Sequence, residues 1–448
     1  MRRHFISEEC GLGRITSGRE QVAIPRNRPP ARRVNVSDRA SPPNDRRISL
    51  GDGLAAIPES LLLAHARGEV LFIVGAGVSR QAGLPDFRHL VKEVYTEVDS
   101  GLERILSRTR TDPMTLSTED RRGLTDPQVS EILRFLSGEY DVVLGMLERR
   151  MDMQPQGDSK VRKAIVSVLR KYTHKPAPIH RALMRLSDRG NAVTIATTNF
   201  DLLLEAANHK RKEKSQTYSL GSIPRPGLGE DFSGVLHIHG ALARNPSRAS
   251  DLVVTDQDFG EFYLRRRIVP DFIYDAARLF HLVLVGYSAK DPPMRYLLNA
   301  VAADGARFKI PNQRYAFYGP DESDQAPIAS KEWKVRAAIE DWKSRGIVPI
   351  EYNTANAHDA LCKSLSRWAD LSAINGNLRL IEHEVERIVR KKRNDAGEAD
   401  RDLFDHLIRR GNSKERKWLA SHASKCGADV SWLDAIHVVV SEKVRGRG

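Results

Sequence analysis

Three short apolar runs punctuate this chain, and each stops abruptly at a small or polar residue. Glu69-Val70-Leu71-Phe72-Ile73-Val74 breaks at Gly75, Asn191-Ala192-Val193-Thr194-Ile195-Ala196-Thr197-Thr198 runs into Asn199, and Phe280-His281-Leu282-Val283-Leu284-Val285 runs into Gly286. Short runs of this kind, apolar on both faces, read as buried parallel strands. Two further strands are predicted at Gly234-Val235-Leu236-His237-Ile238, before His239, and at Arg314-Tyr315-Ala316-Phe317-Tyr318, before Gly319-Pro320. An amphipathic helix is expected from Ile57 to Gly68. Residues 89–190 carry apolar positions at helical spacing, such as Ile132, Leu133, Phe135 and Leu136, then Val142, Val143, Leu144, Met146 and Leu147. That stretch is too long for a simple strand-to-helix connection and reads as an inserted helical module over the site. Beyond about residue 370 the pattern is helical and heavily charged, clearest over Ile381–Arg393.

The elements add up to an α/β fold: a Rossmann-like, doubly wound parallel sheet with an inserted helical module and a helical C-terminal appendage. Residues 1–48, irregular in Arg, Pro, Asn and Ser, read as a disordered basic arm. Residues 49–370 are expected to form the α/β domain that carries the candidate site, containing the module at 89–190, and 371–448 a helical region for oligomer or partner contacts. In an open α/β sheet, ligands bind beyond the carboxyl ends of the strands, so the polar clusters after each run are the candidate site.

Composition narrows the class. The formal charge of +13 suits an anionic partner, but much of it sits in the tails, which are open to nucleic acid as an accessory contact. No apolar run approaches the ~20 residues of a membrane span, and the Arg-rich N-terminus lacks a secretory signal's apolar centre, so no membrane and a cytoplasmic address are expected. Cys10, Cys362 and Cys426 lie far apart and form no C-x-x-C pair, which argues against a disulfide framework and a cysteine-ligated zinc site.

The clusters themselves carry chemistry of differing specificity. Gly75-Ala76-Gly77-Val78-Ser79 sits where a strand turns into a helix; its glycines suit a tight turn and the approach of backbone N–H groups to a pyrophosphate, though a glycine pair alone is equally a bare turn. Asn199 offers donor and acceptor groups to a ribose hydroxyl, a water or a carboxamide, and Asp201 reads as an acceptor or as a cap on the helix after it. His239 is a strand-end imidazole that titrates near neutrality and suits proton handling. His237 lies two residues further back on the same strand face and is left out.

With its extension Gly83-Leu84-Pro85-Asp86-Phe87-Arg88, the first cluster resembles the sirtuin family, whose first motif is a Gly-Ala-Gly-x-Ser core followed by Gly-Ile-Pro-Asp-Phe-Arg. The Thr197-Thr198-Asn199-Phe200-Asp201 stretch resembles the sirtuin Thr-Gln-Asn-x-Asp motif, with Thr198 in place of Gln. His239 precedes Gly240 as the sirtuin catalytic histidine precedes a glycine, and Gly286-Tyr287-Ser288 resembles the family's Gly-x-Ser. The resemblance spans about residues 57 to 370 and implies NAD+ as substrate. It implies Asn199, His239 and Asp201 as catalytic, with Gly75, Ala76, Gly77, Ser79, Asp86, Phe87, Arg88, Thr198, Gly286, Ser288 and Asp291 binding the cofactor.

It breaks where sirtuin deacylases carry paired cysteines for zinc: no cysteine lies between His239 and Gly286. Leu252–Phe259, Asp291 and the late His358-Asp359-Ala360-Leu361 are similar to zinc-free bacterial relatives, many of which are NAD+ hydrolases acting in antiphage abortive infection. The resemblance therefore implies an NADase that releases nicotinamide and ADP-ribose, uses no zinc, and works as a homo-oligomer or with a second defence protein such as an ATPase or an Argonaute-like subunit. The alternatives are an NAD-dependent protein deacylase or ADP-ribosyltransferase, and a non-catalytic sensor of NAD+ or ADP-ribose.

Overall fold

A computed structural model describes residues 45–108, 123–152, 159–172, 175–190, 192–208, 216–220, 223–224, 233–242, 252–287, 312–320 and 328–445. Its strands are β1 (Arg47–Ser49), β2 (Ala56–Pro58), β3 (Val70–Val74), β4 (Thr194–Thr197), β5 (Gln216–Ser219), β6 (Gly234–His237), β7 (His281–Val285), β8 (Arg314–Tyr318) and β9 (Ile347–Glu351). β1 and β2 pair antiparallel, while the other seven form one sheet in the order β5-β6-β4-β3-β7-β8-β9. Every pairing in that sheet is parallel. This is the Rossmann-like α/β class expected from the apolar runs.

Burial on both faces explains why those runs show no regular polar alternation. Phe72, Val74, Ile195, Val235, Val283 and Val285 enter one core, which they share with the helices Glu59–Ala66, Pro178–Leu186 and Ala355–Asp370. Leu71, Ile73, Ala196, Leu236, Leu282 and Leu284 enter a second core on the opposite face, against the helix Ile268–Leu279 and Trp342. A sheet covered on both faces needs apolar residues at odd and even positions alike.

A third core belongs to the helical module. The helices Phe87–Val98, Ser100–Arg108, Asp126–Leu136, Tyr140–Met151 and Lys160–Lys171 bury Leu90, Val94, Leu106, Phe135, Leu144 and Ile165 together, and Leu252 and Val254 join them. The helix Pro178–Leu186, although inside the 89–190 stretch, packs on the sheet instead.

Several boundaries differ from the sequence expectation for identifiable reasons. Ile57 and Pro58 are not helical: Ile57 pairs with Ile48 in the β1–β2 hairpin, and Pro58 stands as the cap from which Glu59–Ala66 starts. Residues 45–48, assigned to the basic arm, are therefore structured, with Ile48 fully buried; residues 1–44 of the arm lie outside the described residues. β5 and β9 were missed because they are the two edge strands. β5 reads Gln-Thr-Tyr-Ser and β9 carries Pro349, an imino acid that a central strand rejects.

The C-terminal helices Leu378–Val389, Glu398–Arg410, Ser413–Lys425 and Val430–Arg445 turn their apolar sides inward. Ile381, Val385, Ile388, Phe404 and Trp432 belong to the same core as Phe72 and Trp368, and the stripe seen within 381–393 is covered by the neighbouring helices Glu398–Arg410 and Ser413–Lys425. Among the described residues, no helix is long and apolar enough to cross a membrane.

Candidate active site

Strand register builds the site. Val74 pairs with Thr197 on one side and Val285 on the other, and Thr197 pairs with His237. Four strands thus end in one row, and the residues that follow, Gly75, Thr198-Asn199, Ile238-His239 and Gly286, line one edge of the sheet. Segments scattered over about two hundred residues of sequence meet there because parallel strands share a common carboxyl end.

The glycine turn is locked from the side. Gly75 N–H donates to Val285 O (2.8 Å), Gly77 N–H to Gly286 O (3.0 Å) and Val78 N–H to Gly75 O (3.1 Å). A Cβ on Gly75 would lie 2.7 Å from Gly286 O, and one on Gly77 2.9 Å from the same atom. Gly286 returns the constraint: its φ is +76°, and a Cβ there would meet Val78 N at 2.7 Å. The two turns fit into each other, which only glycine permits. The Gly75 and Gly77 amides are engaged within the protein, and the two turns together form a rigid floor.

Asn199 and Asp201 tie the second cluster to that floor. Asn199 Nδ2 donates to Gly75 O (3.1 Å) and to Ser79 Oγ (2.8 Å), and a carbonyl partner fixes which end of the amide is nitrogen. Its Oδ1 has no donor among the described residues. Ser79 Oγ donates to Asp201 Oδ2 (2.7 Å), while Asp201 Oδ1 accepts from Leu203 N–H (3.1 Å). Asp201 is thus both a helix cap and the holder of Ser79. Thr198 Oγ1 lies 3.0 Å from the Tyr287 hydroxyl, which also reaches Val74 O. Behind Asp201, His180 is buried with neither ring nitrogen in a hydrogen bond of normal geometry, and burial pushes its pKa down.

His237, set aside on sequence grounds, is the deepest polar residue of the site. Its Nδ1 donates to Asn199 O (2.8 Å) and its Nε2 to Glu205 Oε1 (2.9 Å). Burial alone would depress its pKa, but the Glu205 carboxylate, the Asn199 carbonyl and Asp201 outweigh that and raise it. The result is a fully buried imidazolium that clamps the backbone of Asn199.

His239 is its opposite. Its ring meets Phe259 edge-on at 5.6 Å and Tyr263 at 5.8 Å, its Nε2 lies 2.6 Å from the Tyr263 hydroxyl, and Nδ1 has no partner among the described residues. Without a counter-charge, burial pushes its pKa down to about 3, so it stays neutral across the physiological range. Two histidines two residues apart are shifted in opposite directions, His237 up by Glu205 and His239 down by burial against an aromatic wall.

The second half of the first motif faces elsewhere. Asp86 caps the helix Phe87–Val98 through His89 N–H (2.9 Å), Phe87 packs edge-on against Tyr140, and the Arg88 guanidinium lies 5.0 Å over the Phe135 ring. These side chains fasten the loop to the helical module and are not drawn into the hydrogen-bonded knot around Asn199. Ala76 stands exposed at the start of the short helix Ala76–Arg80. Ser288 and Asp291 lie outside the described residues. Among the described residues, no group of three or more His, Cys, Asp and Glu side chains is placed to hold a metal ion.

Tyr263, Phe259, Tyr287 and Glu205 were not foreseen. His237 carried a local signal, a second imidazole on the same strand face, and Tyr287 stands inside the Gly286-Tyr287-Ser288 motif, whereas Glu205, Phe259 and Tyr263 meet their histidines across chain crossings that no local pattern announces.

Comparison with known proteins bears on this arrangement. An uncharacterized protein, y4cA, from Sinorhizobium fredii (strain NBRC 101917 / NGR234) is 30% identical over 403 residues, which is 86% of this chain but 29% of the relative. The chain spans less than a third of the length of that curated relative. A solved structure described as "Structural Basis for the Mechanism and Regulation of Sir2 Enzymes" aligns over 70% of this chain and 97% of its own, at 16% identity and a TM-score of 0.30. The SIR2-like domain profile matches residues 193–338, the span containing Asn199, His239 and Gly286. The chain carries a SIR2-like domain.

Proposed function

We propose that this chain cleaves NAD+ between nicotinamide and ribose and passes the ribosyl centre to water. The observation that carries the reading is the pairing, on one sheet edge, of an amide whose Oδ1 is uncommitted, Asn199, with an imidazole kept neutral, His239. In the reaction, the C1′–N bond breaks and its electron pair leaves with nicotinamide. Positive charge develops at C1′, water adds through oxygen, and one proton is released, giving nicotinamide and ADP-ribose. Asn199 Oδ1 orients the ribose hydroxyl or the attacking water. Neutral His239 offers a lone pair that relays this proton to solvent, a task an imidazolium could not perform. Asp201 acts at one remove, by holding Ser79 and hence the Asn199 amide. Ala76 and the Gly75–Gly77 floor, with Thr198 beside them, bound the space for the dinucleotide, and the resemblance alone adds Arg88, Ser288 and Asp291 to it.

A role as an antiphage effector that depletes cellular NAD+, triggered by self-assembly or a second protein, extends this reading and rests on the resemblance alone. The biochemical test is direct. Purified protein incubated with NAD+ is assayed for nicotinamide and ADP-ribose, with and without an acyl-lysine peptide. Stoichiometric release of both products, unaffected by peptide and lost in Asn199→Ala and His239→Ala, supports hydrolysis. Nicotinamide release that requires the peptide makes the chain a deacylase or transferase, and NAD+ retained uncut through purification makes it a sensor.

A further inference from the structure

We propose that Tyr263 is a positioning residue for His239, and that Arg162 of the helical module holds it in place. The inference rests on the NAD+-cleavage reading and names what controls the base in it.

Fourteen residues beyond His239, at Val253, the chain is again beside it. Val253 N–H donates to His239 O (2.9 Å), and a capping box at Thr255 and Asp258 then starts the short helix Asp256–Phe259. A π-helical segment, Gly260–Arg265, follows and delivers Tyr263 to His239 Nε2. Single π-turns are rare and unfavourable unless their surroundings hold them. Here the surroundings are explicit. Arg162 Nη2 donates to both oxygens of Asp258 (2.7 and 2.9 Å), its Nη1 to Leu252 O (3.1 Å) and its Nε to Glu148 (3.1 Å). Arg149 adds a two-pronged pair to Asp256 (3.1 and 3.2 Å). The module thus grips both ends of the segment 252–258, and the next residue is Phe259, whose ring touches both His239 and Tyr263.

The chemistry of the contact gives Tyr263 its role. A neutral imidazole has one N–H and one lone pair, and the bond made by one nitrogen decides which is which. When His239 Nε2–H donates to the Tyr263 oxygen, the lone pair resides on Nδ1, the nitrogen without a partner among the described residues. In that tautomer Nδ1 is the nitrogen able to accept a proton. Loss of the hydroxyl frees the ring to populate the other tautomer, which presents a donor where the reaction needs a base.

Tyr263→Phe removes a single oxygen and keeps the aromatic wall. On the full chain, the expected result is a fall in kcat for nicotinamide release of about 10- to 100-fold with KM within about threefold, in the range general-base catalysis supplies. Imidazole-nitrogen NMR reports the cause independently: Nδ1 carries a pyridine-type signal in the wild type and a tautomer-averaged one in Tyr263→Phe. Arg162→Lys keeps a charge but loses the planar fork, and it moves kcat and the Nδ1 signal in the same direction. Tyr263→Phe with kcat within twofold of wild type, or with an unchanged Nδ1 signal, overturns the proposal. Arg162→Lys at wild-type kcat overturns the module's part in it. Should the wild type release no nicotinamide, the cleavage reading fails on its own, and the Nδ1 signal alone decides for or against Tyr263.

Discussion

Lowering the pH from 7.5 to 5.0 tests the burial of His239 directly. In the unfolded chain its imidazole titrates near 6.5, whereas in the folded chain burial holds it at about 3. Between those values the unfolded state binds a proton that the folded state refuses, so the contribution of His239 to stability is present above pH 6.5 and is lost as pH falls. Each unit is worth about 1.4 kcal/mol, and pH 5.0 lies about 1.5 units below the unfolded value, which gives a loss of about 2 kcal/mol. His65, buried against Trp368 and Phe72 with its pKa pushed down to about 4, destabilises in the same direction, so the wild-type drop alone does not identify its source. The informative quantity is the difference between wild type and His239→Gln. Urea unfolding of both at pH 7.5 and 5.0 should show the variant losing about 2 kcal/mol less than the wild type on acidification. Equal losses would mean that His239 is solvated or paired, and the neutral base of the proposed mechanism would go with it.

Three other outcomes follow from the same geometry. Gly286→Ala forces a Cβ against Val78 N at a φ of +76°, and should destabilise by about 2 kcal/mol or more in denaturant titrations; a change under about 0.5 kcal/mol contradicts the interlock. His237→Gln leaves the Glu205 carboxylate buried without its cation and should cost about 3 kcal/mol. Because the His237 pKa is raised, its contribution is full below the unfolded value and fades as pH rises through the folded one, so the penalty should be larger at pH 6 than at pH 9. His180→Leu removes a buried imidazole whose nitrogens make no hydrogen bond of normal geometry among the described residues, and melting should show it at least as stable as wild type; a loss above about 2 kcal/mol refutes this.

The central strands were legible because burial on both faces leaves an uninterrupted apolar run that ends where the site begins, as at Val74-Gly75 and Val285-Gly286. The edge strands were not, since Gln216–Ser219 and the Pro349 strand each have one side free of pairing and need no such run. Motif positions told where Asn199 and His239 would lie. They did not tell what holds them, because Glu205, Tyr263 and Arg162 arrive by crossings whose partners are far apart in sequence. The glycine motif was located by sequence, but its physical role was not: the steric demand on Gly75 comes from Gly286, which the local pattern does not contain.

The interlocked turns also bear on when the protein becomes able to act. Gly75 and Gly286 are separated by about two hundred residues, so their contact closes a long loop and waits for β7 to dock beside β3. A ribosome-bound chain that has emerged only as far as β6 already displays Asn199 and His239, yet lacks the strand that wedges the Gly75 turn into shape. If the finished molecule consumes NAD+, synthesis itself imposes a safeguard: unfinished copies carry the reactive groups without the scaffold that aligns them, and a cell making this protein is not exposed to it until the sheet has closed.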